Sequence, residues 1–166
     1  MMTRMGADWL TAEEQRAWRA YLTLHRELTA RLNRQLQSDS QLSLPDYEVL
    51  VHLSEAPGGR MRPYELAKAL QWEQSRLSHQ LSRMQRRGLV RREECTGDGR
   101  GAFMVLTPCG RETIEAAAPS HAAKVRELFF GALTPAQVAA VAEISHQGLA
   151  GLTPVEPLCD GTGEPD

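Results

Sequence analysis

Seven side chains in the middle of this 166-residue chain have the types and spacing for recognition chemistry: Ser75, Arg76, Ser78, His79, Ser82, Arg83 and Arg86. At about 100° per residue they share one side of a helix. Leu77, Leu81 and Met84 lie opposite, recurring at i, i+4 and i+7. A solvated helix face normally mixes both signs of charge. This one offers hydroxyls, an imidazole and guanidiniums, and no carboxylate. Short donors beside arginines suit a polyanion whose base edges are also read. The helix reads as a recognition helix.

The flanking residues position it. Leu66, Ala67 and Leu70 give a short preceding helix its apolar side, and Pro63 suits an opening helical position. Gln71-Trp72-Glu73 breaks the pattern, and the second helix runs from about Gln74 to Arg87, with Gly88 where a left-handed cap belongs. Leu89-Val90-Arg91-Arg92 and Ala102-Phe103-Met104-Val105-Leu106 are strand-like, joined through a glycine-rich tip, Thr96 to Gly101. A helix pair followed by such a hairpin is a winged helix-turn-helix. Arg100 at the tip is placed to enter a narrow minor groove, where A/T-rich sequence concentrates negative potential. Asp98 would hold that guanidinium, since a carboxylate facing phosphate is repelled. Arg87, Arg91 and Arg92, with Arg62 as a further candidate, are expected to touch phosphate and supply salt-dependent affinity.

A net charge of −2 by itself speaks against nucleic acid, but the distribution of that charge speaks for it. Residues 60–92 hold nine Lys/Arg against two Glu, a local +7, between flanks of −2 and −7. Such a basic block inside an acidic chain is the electrostatic footprint of local DNA contact.

Several short pieces, in this order and spacing, resemble the MarR family of bacterial transcription regulators. They are Leu42-Ser43-Leu44-Pro45-Asp46-Tyr47-Glu48-Val49-Leu50, Glu65-Leu66-Ala67, Ser75-Arg76-Leu77-Ser78, Arg86-Arg87-Gly88-Leu89-Val90, and Asp98-Gly99-Arg100-Gly101 followed by Leu106-Thr107. The resemblance covers about residues 10–150. It implies the same division of labour in the wing. Gly99 stands where the family commonly has another basic residue, which implies a looser grip. The resemblance also implies a DNA-binding homodimer whose N- and C-terminal helices interlock across a two-fold axis.

Those outer helices are legible. Thr11-Ala12-Glu13-Glu14 has a capping-box pattern. Ala17, Tyr21, Leu24, Leu28 and Leu32 then mark one face to about Leu36, a helix of roughly seven turns. That is too long for a small winged-helix domain to cover. Ser38-Asp39-Ser40 is read as a break, Ser43 as the next cap, and Val49, Leu50 and Leu53 as a core face ended by Ala56-Pro57-Gly58-Gly59. After the wing, Pro108 opens a helix carrying Ile114, Val125 and Leu128, with a kink or break expected at Ala117–Pro119. Thr134 caps the last helix, striped by Val138, Val141, Ile144 and Leu149. The expected architecture is mainly α with a small β-wing. A single domain spans 1–150: a winged helix-turn-helix at 42–107 between dimerisation helices at 10–37 and 108–150. Residues 151–166, rich in Pro, Gly and acids, are expected to be disordered.

A sensor site is the second functional reading. Arg16, Trp18, Arg19, Tyr21, His25, Tyr47 and His52 could line a cleft between dimer helices and reading head that takes a small aromatic or phenolic acid. Arg16 or Arg19 would pair with its carboxylate. The same side chains also suit core packing and dimer contacts. Such ligands are common in the resembled family.

Other classes find little support. No nucleophile–base pair, Gly-rich phosphate loop or metal-ligand spacing appears, so no catalytic residue, metal or cofactor is expected. Cys95, Cys109 and Cys159 have no C-x-x-C spacing. Redox regulators of the family carry a cysteine near the start of the first helix, and none stands there. Modification of Cys95, at the base of the wing, would still disturb DNA contact, which keeps a cysteine-based redox regulator as an alternative. A winged-helix module that binds protein is another, although its reading face would be expected to show apolar patches or acids. No apolar run reaches membrane-spanning length and no secretory leader is visible. The expected location is the cytoplasm, with no membrane partner.

Overall fold

Side-chain caps start the first two helices. Glu14 N donates to Thr11 Oγ1 and Thr11 N to Glu14 Oε2, at 3.2 and 2.6 Å, and Ser43 and Asp46 make the same reciprocal box. The computed structural model describes residues 9–94 and 101–152. Expectations placed on Cys95, Asp98, Gly99, Arg100, Cys159 and the tail from 153 lie outside the described residues. In order come α1 (Ala12–Ser40), α2 (Leu44–Glu55), a 3-10 turn (Pro57–Gly59), β1 (Arg60–Met61), α3 (Pro63–Leu70) and α4 (Gln74–Arg86). Then follow β2 (Val90–Glu94), β3 (Ala102–Leu106), α5 (Pro108–Leu128), a second 3-10 turn (Phe130–Ala132) and α6 (Pro135–Leu152).

The small sheet is antiparallel in the order β1-β3-β2, with Met61 opposite Met104 and Arg92 opposite Met104 on the other side. The two-residue β1 has no sequence signature, because so short a segment has no room for an alternating pattern. Gly88 takes the left-handed conformation expected of it, with φ 71°. The core gathers Leu36, Val49, Leu50, Leu53, Leu66, Leu77, Met84 and Val90, all buried, from α1, α2, α3, α4 and the sheet. Each side chain of this size contributes about 1.5–3 kcal/mol over the exposed state. The outer parts are different. No residue of α6 is buried, and on α1 burial begins only at Leu32.

Two expected breaks are absent. α1 runs through Ser38-Asp39-Ser40 and ends at Gln41, which is left-handed (φ 56°) with its N–H on Gln37 O and Leu36 O. Tertiary contact overrides local preference here: buried Gln35 donates to Asp39 Oδ2 at 2.9 Å and to Ser120 Oγ of α5 at 3.2 Å. α5 likewise continues through Pro119. The ring lies on the exposed side, so water can reach the carbonyl that loses its amide partner. Buried Ile114, Ala117 and His121 anchor the helix on both sides of it.

His121 joins α5 to α1 and α2. Its Nδ1 is 3.1 Å from Gln35 Oε1, and its ring is 4.3 Å from that of Tyr47. Burial pushes the imidazole below its ordinary value of 6.5. The unfolded chain therefore takes up a proton that the folded chain resists. This contribution is complete above a pH of about 6.5 and is lost as pH falls below it. Urea midpoints should drop more between about pH 7.5 and about pH 5.5 in the wild type than in His121→Gln. Equal drops would remove His121 as the cause.

Candidate nucleic-acid interface

α4 seats itself on Leu77, Gln80, Leu81 and Met84, all buried, and is held to α3 across a left-handed turn at Gln71 (φ 53°). That seating turns all seven predicted recognition residues, Ser75, Arg76, Ser78, His79, Ser82, Arg83 and Arg86, to the exposed side. Three of them are already oriented. Arg76 lies over the Trp72 ring, 4.2 Å from its centroid. Ser82 Oγ donates to Ser78 O at 2.9 Å, and Arg83 Nη2 donates to Gln80 Oε1. Partial burial on α2 raises the pKa of Glu48, against the lowering pull of Arg76 and His52.

The predicted phosphate contacts divide. Arg87 is engaged within the fold: Nη1 donates to the buried Asp46 Oδ2 at 2.7 Å and Nη2 to Gln41 O at 2.6 Å. Its guanidinium ties the end of α4 to the α1–α2 turn, and sequence patterning could not show a partner 41 positions away. Arg91 sits beside Glu93 (2.6 Å), which also lies 3.8 Å from Arg60. Arg60 and Arg62 both stack on Phe103, at 4.9 and 5.0 Å from the ring centroid. Strand alternation puts these groups on one face of the sheet and Arg92 on the other. There Arg92 borders a groove with Ser78, Ser82, Gln85 and Met104, and it has no ion pair among the described residues. Sequence patterning does not single out Gln80 and Asp46 as site residues. The signal for Gln80 is its position, a polar residue within the Leu77–Leu81–Met84 stripe.

The predicted sensor residues are not brought to one place within the chain. Trp18 stacks on Tyr21 (5.6 Å) and Tyr21 on His25 (6.2 Å), along an exposed run of α1 that also carries Arg16 and Arg19. Trp9, Leu10, Gln15, Trp18 and Arg19 line an open apolar hollow of about 290 Å³. Tyr47 and His52 belong to α2, where Tyr47 is committed to His121. Among the described residues, no hydrogen bond, ion pair or ring contact joins the two groups. Cys109 is a free thiol exposed near the start of α5. Among the described residues, no three His, Cys, Asp or Glu side chains converge as metal ligands, and no single helix is long and apolar enough to cross a membrane.

The fold and this face define a winged helix-turn-helix protein. The chain belongs to the MarR family of transcriptional regulators, whose family model matches residues 40–101. The transcriptional regulator HosA of Escherichia coli O127:H6 is 32% identical over 123 residues, which is 74% of this chain and 87% of that protein. Two MarR family transcriptional regulators of Streptomyces coelicolor are similar in structure. AbsC is 44% identical with a TM-score of 0.80, over 87% of this chain and 99% of that one. Sco3205, solved in complex with DNA, is 43% identical with a TM-score of 0.85, over 93% of this chain and 97% of that one.

Proposed function

We propose that the protein is a DNA-binding transcription repressor of the cytoplasm, working as a homodimer on a pseudo-palindromic operator and released by a small aromatic or phenolic acid. The observation that carries this reading is the outward face of α4, seven donor side chains with no acid in the helix. Ser75, Arg76, Ser78, His79 and Arg83 set base preference, Arg86 and Arg92 touch phosphate, and Arg100 of the wing enters the minor groove with Asp98 holding it. The dimer is supported by apolar surface that one reading head leaves uncovered. Tyr21 and Leu24 of α1 are 56% and 47% exposed, and Ile144 of α6 is 68% exposed. Pairing these faces between chains buries them and sets half-site centres about 10 bp apart. The effector reading is supported by the apolar hollow beside Arg19, whose guanidinium can meet a carboxylate.

Selection of bound sites from a random DNA pool tests the assignment. Arg76→Ala or Arg83→Ala should relax the preferred sequence at one position per half-site, a loss of about 1–3 kcal/mol in discrimination. Arg92→Ala should weaken all sites alike and reduce the salt slope by about one. Footprinting should show two protected half-sites in phase. An unselective pool, or one copy bound to a non-symmetric site, would refute the reading.

A further inference from the structure

Gln80 belongs to the recognition helix yet is only 3% exposed, a polar side chain at a core position. Both ends of its amide are engaged. Nε2 donates to Asp46 Oδ1 at 2.5 Å, and Oε1 accepts from Arg83 Nη2. Asp46 is equally buried, and its Oδ2 accepts from Ser43 N at 2.8 Å and Arg87 Nη1 at 2.7 Å. This arrangement leaves the amide one orientation. A carboxylate only accepts and a guanidinium only donates, so the NH₂ must face Asp46 and the carbonyl must face Arg83.

We propose that Gln80 is a positioning residue for DNA reading, presetting Arg83 on the exposed face of α4. The inference rests on the assignment of Arg83 as a base contact. A surface arginine samples many rotamers and loses that freedom on binding. One anchored at Nη2 has already lost part of it. The amide has a second merit over a carboxylate at the same place: it fixes the guanidinium without neutralising it, leaving the full charge for DNA. Asp46 polarises the amide from behind, which strengthens the bond its carbonyl accepts. Arg87, paired directly with Asp46, shows the contrast: an arginine held by the acid itself serves the fold.

The test is a double-mutant cycle in the full-length protein, with Gln80→Met and Arg83→Ala, singly and together. The readout is the ratio of affinities for the selected operator and for the operator altered at the base pair whose selection Arg83→Ala relaxes. Gln80→Met should reduce that ratio by about 3–10-fold in the wild-type background and leave it unchanged in Arg83→Ala, because coupled residues are not additive. Uniform weakening of both operators, or the same loss of ratio in both backgrounds, would make Gln80 merely structural and overturn the proposal. If Arg83→Ala alone changes no base preference, the base-contact assignment fails first, and the proposal with it. Should Gln80→Met not fold, Gln80→Asn serves in the same cycle: it keeps the amide but is one methylene too short to span both partners.

Discussion

Gly110→Ala is expected to lower the stability of the protein by about 2–4 kcal/mol, even though alanine is the better helix former. A Cβ at this position would lie 2.0 Å from the Leu89 carbonyl oxygen and 2.8 Å from Leu106 Cδ1. The leucine methyl can swing aside; the carbonyl cannot. It accepts from Thr107 N at 3.2 Å, while Thr107 Oγ1 donates to the adjoining Gly88 O at 2.6 Å and accepts from Gly110 N at 2.9 Å. Moving the carbonyl means moving the start of β2 away from α5. Overpacking against a side chain costs about 1–3 kcal/mol, and a backbone obstacle belongs at or above the top of that range. Helix propensity returns about 1 kcal/mol. Denaturant titration measures the difference. A wild-type midpoint would mean that α5 and β2 separate freely.

Asp46→Ala is expected to cost about as much, roughly 2–4 kcal/mol, for an electrostatic reason. The buried carboxylate meets Gln80 Nε2, Arg87 Nη1 and Ser43 N within 2.8 Å. Removing it strands a buried amide and part of a guanidinium, and deletes half of the α2 capping box. Arg87 is partly solvated, its side chain 39% exposed, so the figure stays below that for a fully buried pair. Arg87→Ala should cost less than Asp46→Ala, because the carboxylate keeps two donors. It should also leave the salt slope of DNA binding unchanged. A reversed order of stabilities, or a reduced slope for Arg87→Ala, would return Arg87 to the phosphate contacts.

What the sequence made legible follows from the range of the forces involved. Helix faces and caps are local: Ser43 with Asp46, Leu77 with Leu81 and Met84, and Gly88 at φ 71° could each be read within a few positions. The outward set on α4 followed, because the side opposite a buried stripe is exposed by geometry. Contacts over long separations stayed hidden. Nothing near Arg87 announces Asp46, and nothing near Gly110 announces the Leu89 carbonyl. The two breaks that did not form were local preferences outvoted by packing, at Gln35–Ser120 for α1 and around Ile114 and His121 for α5.

The end of α1 is pinned: Gln41 gives its carbonyl to Arg87, and Asn33 Oδ1 accepts from Leu44 N at 2.9 Å. The 29-residue helix beyond that joint is a rod about 44 Å long. A rod hinged at one end has a gear ratio. A push of about 1.5 Å at its free end, near the Trp18–Tyr21 stack, turns the joint by only a few degrees, whereas the same push one turn from Gln41 turns it by about 15°. Force is transmitted the other way, because its torque on the joint grows with the length of the arm. A load applied beside Trp18 therefore has about six times the torque on that joint of the same load one turn from Gln41, so where α1 is pushed counts for as much as how hard.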